Sequence, residues 1–533
     1  MKIHLIFNKT IIRRNIMLLL KELTKLLLLQ YIMRNLFFLT VCFILIPSLY
    51  GQSSKNEKNI KPIPPTKSFV TKHQGVFGGK NIEYTTTAKE TYLTNKEGDS
   101  IATFWSVAYT KTNIGDVTKR PVTFVFNGGP GSASMWLHMG FFGPKVVKVD
   151  SDAKSDDGAA PYHLVNNDHG LLDITDLVFI DPVGTGYSRL VGKGEGKDFY
   201  GLKEDVNSFA QFIRKWVTEN ERWFSPKYLA GESYGTTRAA ALGKALEGSG
   251  QNMALNGMIL ISQALDYAGS TSISNNITSF ITYLPSMAAT AWYHKKAGQG
   301  KTLESFTKEC RDFTYNTYVP ALYKGNSLSD PEKNSLAEKL SYFTGLDKTY
   351  ILQSNLRILM GRFQKKLLED KGLAIGRLDG RFMGNEEDKV SEKPHLGDAA
   401  SYQISAAYTA SLNHYFASEL KVKMDRPYIT SGGGSNWRWR TVPDGQYWEP
   451  MPVNTAPDLG ETMRRNTAMK VMVASGYYDL ITPFFDAEYT FDRNGIVKER
   501  VEMKYYEAGH MMYTHEPDLI KLSKDIREFI TKN

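Results

Sequence analysis

Tyr228-Leu-Ala-Gly-Glu-Ser-Tyr-Gly235, followed by Thr-Thr-Arg-Ala-Ala-Ala-Leu-Gly-Lys-Ala-Leu246, decides how the chain is read. A short apolar run predicts a strand, Thr236 to Leu246 reads as a helix, and between them lies the pattern Gly-x-Ser-x-Gly. A serine on so sharp a strand-to-helix turn needs small neighbours, and Gly231 and Gly235 leave room there. Ser233 is therefore a candidate nucleophile.

Working outward, further short apolar runs alternate with helical segments: Val122 to Phe126, Leu177 to Ile180, Met258 to Ile261 and Val471 to Val473. That rhythm predicts an α/β fold with a mostly parallel sheet covered on both faces. Upstream, residues 74 to 112 alternate apolar and polar, with turn signals at Gly78-Gly79 and Gly98-Asp99, and predict antiparallel strands. Several of the parallel runs end in Gly-rich polar loops: Asn127-Gly-Gly-Pro-Gly131, Asp181-Pro-Val-Gly-Thr-Gly-Tyr-Ser188, the serine turn itself, and Ser475-Gly-Tyr-Tyr-Asp479. Sites form at the carboxyl ends of strands in such sheets, so these loops are expected along one edge. From about Tyr267 to Thr455 the rhythm breaks. Helical patterns at Thr278 to Lys296, Ser335 to Phe343 and Asp398 to Lys421 mix with the Gly/Arg-rich loop Gly376 to Arg381 and the aromatic Asn436-Trp-Arg-Trp-Arg440. The stretch reads as an insertion over the sheet.

A serine hydroxyl needs a base, and the base needs a third group to hold its tautomer. In this kind of fold the acid and then the base follow the serine, each after a later strand. Asp479 follows Met469 to Ala474, and His510 follows the strand-like Val501 to Tyr506. His515 is the rival base, but Glu516-Pro-Asp518 beside it reads as the start of the last helix. An oxyanion needs donors: Tyr234 N–H is one, and the loop from Asn127 is the source of another.

These motifs match a family. Asn127-Gly-Gly-Pro-Gly-Ser132, Phe141-Phe-Gly-Pro144, Phe179-Ile-Asp-Pro-Val-Gly-Thr-Gly-Tyr-Ser188, Gly231-Glu-Ser-Tyr-Gly235, Ser475-Gly-Tyr-Tyr-Asp479 and Ala508-Gly-His-Met511 occur in the order and at the spacing of the serine carboxypeptidases, which the chain resembles over about residues 70 to 265 and 465 to 530. The resemblance implies an α/β-hydrolase core with a largely helical insertion, removal of residues from the carboxyl terminus of a peptide substrate at acidic pH, and a triad of Ser233, Asp479 and His510. It also implies Gly129 and Tyr234 as oxyanion donors, and Asn127, Gly128 and Glu232 as the groups that receive the substrate's terminal carboxylate. A carboxyl beside a carboxylate site should repel, unless one of the two is protonated and they share a hydrogen bond, which favours binding in acid. Phe141 stands where many members carry a second Glu, which implies a place in the substrate pocket, and Ser132 where many carry a disulfide cysteine. Met511 matches a position that lines the pocket of the leaving residue. An esterase or acyltransferase of the same fold remains the alternative function.

Composition bounds the rest. The chain has 533 residues and a formal charge of +9, but Lys2, Lys9, Arg13, Arg14, Lys21, Lys25 and Arg34 against the single acid Glu22 put +6 of that in residues 1–51. The remaining +3 gives no case for nucleic acid or for a membrane surface. Asn35 to Tyr50 is an apolar run of signal-peptide length after Arg34, with Met33 as a conventional start, and Pro47 and its shortness argue against a stable anchor. Cys42 there lacks the small preceding residue of a lipidation site, and Cys310 alone would survive processing, so no internal disulfide is expected. An exported, bridge-free protein fits a bacterial cell envelope, periplasmic or extracellular. No His/Cys/Asp cluster has ligand spacing, so neither metal nor cofactor is expected. The expected organisation is an extension and signal over 1–51, a linker over 52–67, the core over 68–266 and 456–533, and the insertion over 267–455.

Overall fold

In chain order the main strands are β1 (Ser68–Phe77), β2 (Lys80–Thr94), β3 (Ser100–Lys111), β4 (Val122–Phe126), β5 (Asp176–Asp181), β6 (Lys227–Ser233), β7 (Gly257–Gln263), β8 (Lys470–Gly476) and β9 (Val501–Tyr506). They lie in one ten-stranded sheet in the order β1-β2-β3-β5-β4-β6-β7-β8-β9, with the two-residue strand Arg189–Leu190 paired to β3. β1, β2 and β3 are antiparallel, as is the pair β3–β5. From β5 to β9 every pairing is parallel. The loops after β4, β5, β6 and β8 therefore leave the sheet on one edge, as the sequence predicts. The computed structural model describes residues 60–532, apart from 157, 249, 435–436 and 440–450, together with Lys25. The expected leader Asn35 to Tyr50, Met33, Cys42 and the first half of the 52–67 linker lie outside the described residues.

Period-two alternation puts the parallel strands' side chains on two apolar faces. Phe124, Val178, Leu229, Leu260 and Val471 meet Phe209, Trp216, Leu242 and Met463 of the helices Leu202–Glu219, Tyr234–Glu247 and Ala456–Arg465. Val125, Phe179, Ile259, Ile261 and Met472 share the other core with Leu522, Ile526 and Phe529 of Glu516–Thr531. Each large aliphatic side chain so buried contributes roughly 1.5–3 kcal/mol, which is the main source of stability for a chain whose described cysteine, Cys310, is free and buried.

β7 pairs directly with β8, so residues 267–455 are an excursion between neighbouring strands. The helices Ile277–Tyr293, Leu303–Phe313 and Asp330–Thr344 build a separate apolar cluster around Phe280, Leu284, Phe306, Leu336 and Phe343. The pattern at Asp398 to Lys421 resolves into two helices, Ala399–Tyr402 and Ser405–Ser418, the second packing Tyr408, Leu412 and Tyr415 onto the core. Gly376 to Arg381, expected as a plain loop, is the turn of a hairpin between Leu373–Ile375 and Met383–Asn385.

Candidate active site

Ser233 closes β6 and opens the helix Tyr234–Glu247 with φ 60° and ψ −130°. This conformation costs of order 1–3 kcal/mol for a residue with a side chain and persists because β4 and β7 hold β6 on both sides. A methyl at Gly231 would lie 2.3 Å from the Gly235 carbonyl oxygen, and one at Gly235 would lie 2.8 Å from that of Phe126. The turn therefore demands the two glycines that the pattern supplies. Ser233 is partly exposed at the sheet edge.

Asp479 and His510 come from the adjacent strands β8 and β9 and meet there, His510 Nδ1 lying 2.8 Å from Asp479 Oδ2. Both are buried. Asp479 Oδ1 accepts the backbone N–H groups of Ile481 and Thr482, while Oδ2 also accepts from Thr482 Oγ1 at 2.7 Å. The aspartate thus caps its own turn with one oxygen and orients the imidazole with the other. Ser262 Oγ donates to the His510 carbonyl at 2.7 Å, and its chain neighbour Gln263 pairs with Ser233 across β7 and β6. That bond ties the histidine loop to the strand beside the serine. Burial opposes protonation of His510, but the charge and hydrogen bond of Asp479, with a contribution from Glu232, outweigh it and hold the imidazole above its ordinary value. The imidazole thus turns Nδ1, and not Nε2, to Asp479.

The loop from Asn127 lies against the serine turn. A methyl at Gly128 would be 2.4 Å from Tyr234 N, so only glycine permits this approach. Gly129 follows with φ +100°. Asn127 is fixed on three sides: its Oδ1 accepts from Leu137 N–H, its Nδ2 donates to Glu232 Oε1 at 2.9 Å, and its carbonyl accepts from Arg238. Arg238 is itself buried, paired to Asp205 at 2.7 Å and stacked over Phe209.

Glu232 is buried, and Tyr513 Oη donates to its second oxygen at 2.7 Å. Burial raises its carboxyl to about 7, although His510, Tyr513 and Asn127 all favour the charged form. Phe141 is wholly buried, its ring stacked at 6.4 Å from Tyr513 and edge-on to Phe142. It supports Tyr513 from below and offers no surface to a ligand, which corrects its expected place on a pocket wall. Met511 lies in the same apolar cluster and is 7% exposed. His515 pairs with Asp518 at 2.8 Å and begins the last helix, as expected.

Three contributors escape sequence reading. Tyr513 and Ser262 reach the site by contacts across the fold. Thr482 carries a local signal, since Asp-x-x-Thr is a capping turn. No group of His, Cys, Asp and Glu with metal-holding geometry occurs among the described residues.

Residues 80–517 match the family described as serine carboxypeptidase, peptidase family S10. Among curated proteins, the chain is 28% identical over 155 residues to serine carboxypeptidase-like 16 of Arabidopsis thaliana, covering 28% of this chain and 34% of that protein. It is 27% identical over 168 residues to the retinoid-inducible serine carboxypeptidase of Homo sapiens, covering 31% of each. The matched stretches thus span about a third of these relatives. Among solved structures, the prohormone-processing carboxypeptidase KEX1(delta)p of Saccharomyces cerevisiae superposes with a TM-score of 0.51 at 15% identity, over 84% of this chain and 91% of that one. With its serine turn, sheet order and family match in agreement, the chain belongs to the serine carboxypeptidase family and has the α/β-hydrolase fold.

Proposed function

We propose that the protein is an exported serine carboxypeptidase that hydrolyses the last peptide bond of a peptide through an acyl-enzyme, with an acidic preference. The observation that carries this reading is the buried carboxyl of Glu232, held by Asn127 and Tyr513 next to the nucleophile. A general esterase has no use for a protonated acid at that place. A carboxypeptidase does, because a neutral carboxyl can donate to the substrate's terminal carboxylate where an anion would repel it.

In this reading Ser233 Oγ attacks the carbonyl carbon of the terminal peptide bond while His510 Nε2 takes its proton. Asp479 holds the imidazole with Nδ1–H toward itself and stabilises the imidazolium. The N–H groups of Tyr234 and Gly129 receive the oxyanion. His510 then gives its proton to the nitrogen of the leaving amino acid, and the acyl-enzyme forms. Water, deprotonated by the same histidine, completes the cycle. Export rests on the leader Asn35 to Tyr50.

The test uses blocked dipeptides, their C-terminal amides and the matching esters, from about pH 4 to 8. Release of a free terminal amino acid that vanishes in Ser233→Ala is the expected result. Turnover of esters alone would replace this reading with an esterase or acyltransferase.

A further inference from the structure

The segments that carry Asp479 and His510 are joined to each other by Tyr477 N–H to Tyr506 O and Tyr478 N–H to Ala508 O. Beyond those two bonds and the Ser262 Oγ bond to the His510 carbonyl, four further bonds come from the insertion. Leu480 N–H donates to Arg377 O at 3.0 Å, and Gly380 N–H donates to Tyr478 O at 2.9 Å, so the hairpin turn brackets Asp479 on both sides. His510 N–H donates to Leu378 O at 2.6 Å, and Gly509 N–H to Asp379 Oδ2 at 3.0 Å. Side chains repeat the pattern: Leu480 sits in the insertion's apolar cluster, and Tyr478 packs with Ala289 and Leu303.

Among the described residues of the insertion, Asp379 is the side chain that holds a backbone group of the histidine loop, and it is itself immobilised. Arg381 grips it through its backbone N–H and through Nε and Nη2, and anchors in turn on the Ser151 carbonyl. Both residues are buried. A methyl at Gly509 would lie 2.4 Å from Asp379 Cβ, so the two segments are in van der Waals contact at that point. A pair serving only the insertion's stability needs no aim at the residue preceding the histidine.

We propose that Asp379, locked by Arg381, is a positioning residue for His510, and that the insertion is therefore a working part of the catalytic apparatus. The inference rests on the assignment of Ser233 and His510 in the proposed function. Asp379 touches no reacting atom; it acts by fixing the loop from which the imidazole projects.

The test measures inactivation of the full-length protein by a fluorophosphonate, which reads serine activation without any peptide. The rate constant reports the geometry of folded sites, whereas the amplitude counts them. Asp379→Ala should lower the rate constant roughly 10- to 100-fold, the loss expected when a reacting group is displaced by about 1 Å, and should shift its pH midpoint. Asp379→Asn keeps the shape but replaces one acceptor oxygen by an NH2, which must face either the Gly509 N–H and Arg381 Nη2 or the Arg381 backbone N–H, so it should show the same direction and decides the matter if the alanine variant is not recovered. Glu386→Gln, which breaks the buried Lys365–Glu386 pair elsewhere in the insertion, should reduce stability and leave the rate constant alone. Rate constants of both Asp379 variants within twofold of wild type, with only the amplitude reduced, overturn the proposal. A wild-type protein that the probe does not label at Ser233 overturns the proposed function itself, and this inference with it.

Discussion

Replacing Glu232 by Gln isolates the electrostatics of the site. The carboxyl is raised from 4.5 to about 7 by burial against the opposing pull of His510, Tyr513 and Asn127, with Asp479 adding to the rise. At 1.36 kcal/mol per pH unit, that difference is worth roughly 3 kcal/mol. The sign follows from proton counting: between pH 4.5 and about 7 the folded protein holds a proton that the unfolded chain has released. Stability from this group is therefore highest below the unfolded value and falls as pH rises through the window. Gln has no proton to lose, keeps an oxygen for Asn127 and turns its amide toward Tyr513 Oη. Relative to wild type, Glu232→Gln should gain roughly 3 kcal/mol in urea unfolding between about pH 4 and 8. Because Glu232 helps hold up His510, that imidazole should titrate lower in the variant. Activity should follow the same charge. An ionised Glu232 about 4 Å from a substrate carboxylate costs about 4 kcal/mol at an effective dielectric near 20. Wild-type kcat/KM for free-acid substrates should accordingly fall above about pH 7, while that of the variant should not. A stability difference independent of pH, or parallel pH profiles for the two proteins, would refute this account.

Tyr513→Phe removes a donor that favours the ionised form, so Glu232 should rise further and the alkaline limb for peptides should move to higher pH; a limb that stays put contradicts the assigned bond. Gly128→Ala forces a methyl against Tyr234 N and should lower kcat at least about 100-fold for peptides and esters alike, with wild-type turnover as the refuting outcome. Asp479→Asn should preserve the fold but favour the wrong imidazole tautomer, reducing kcat roughly 10³- to 10⁴-fold in steady-state assays; a loss below tenfold would count against its role.

Much of the fold is written in local pattern. Short apolar runs ending in Gly-rich loops predict β4 to β8 and place Ser233, Asp479 and His510 at strand ends, because side-chain alternation and turn chemistry act over a few residues. Tyr513 and Ser262 are invisible at that range: one reaches Glu232, the other the His510 carbonyl, from positions hundreds of residues away in the chain. Phe141 shows the reverse error. Its place in a motif suggests a pocket, yet burial makes it the support under Tyr513. The hairpin around Gly376 to Arg381 was hidden because its strands are three residues each, too short for a period to register.

The direct pairing of β7 with β8 gives the molecule an order of completion. Closing a long excursion between two neighbouring strands costs little more than closing a short one, about 0.6 kcal/mol for each doubling of length, so the sheet tolerates the insertion thermodynamically. Synthesis is less forgiving. In the proposed mechanism, a growing or clipped chain that stops before β9 carries the turn at Ser233 but lacks the base that activates it. Chemical competence thus arrives only when the last strand and the histidine after it have docked, and a hydrolase made this way is silent for most of its own assembly.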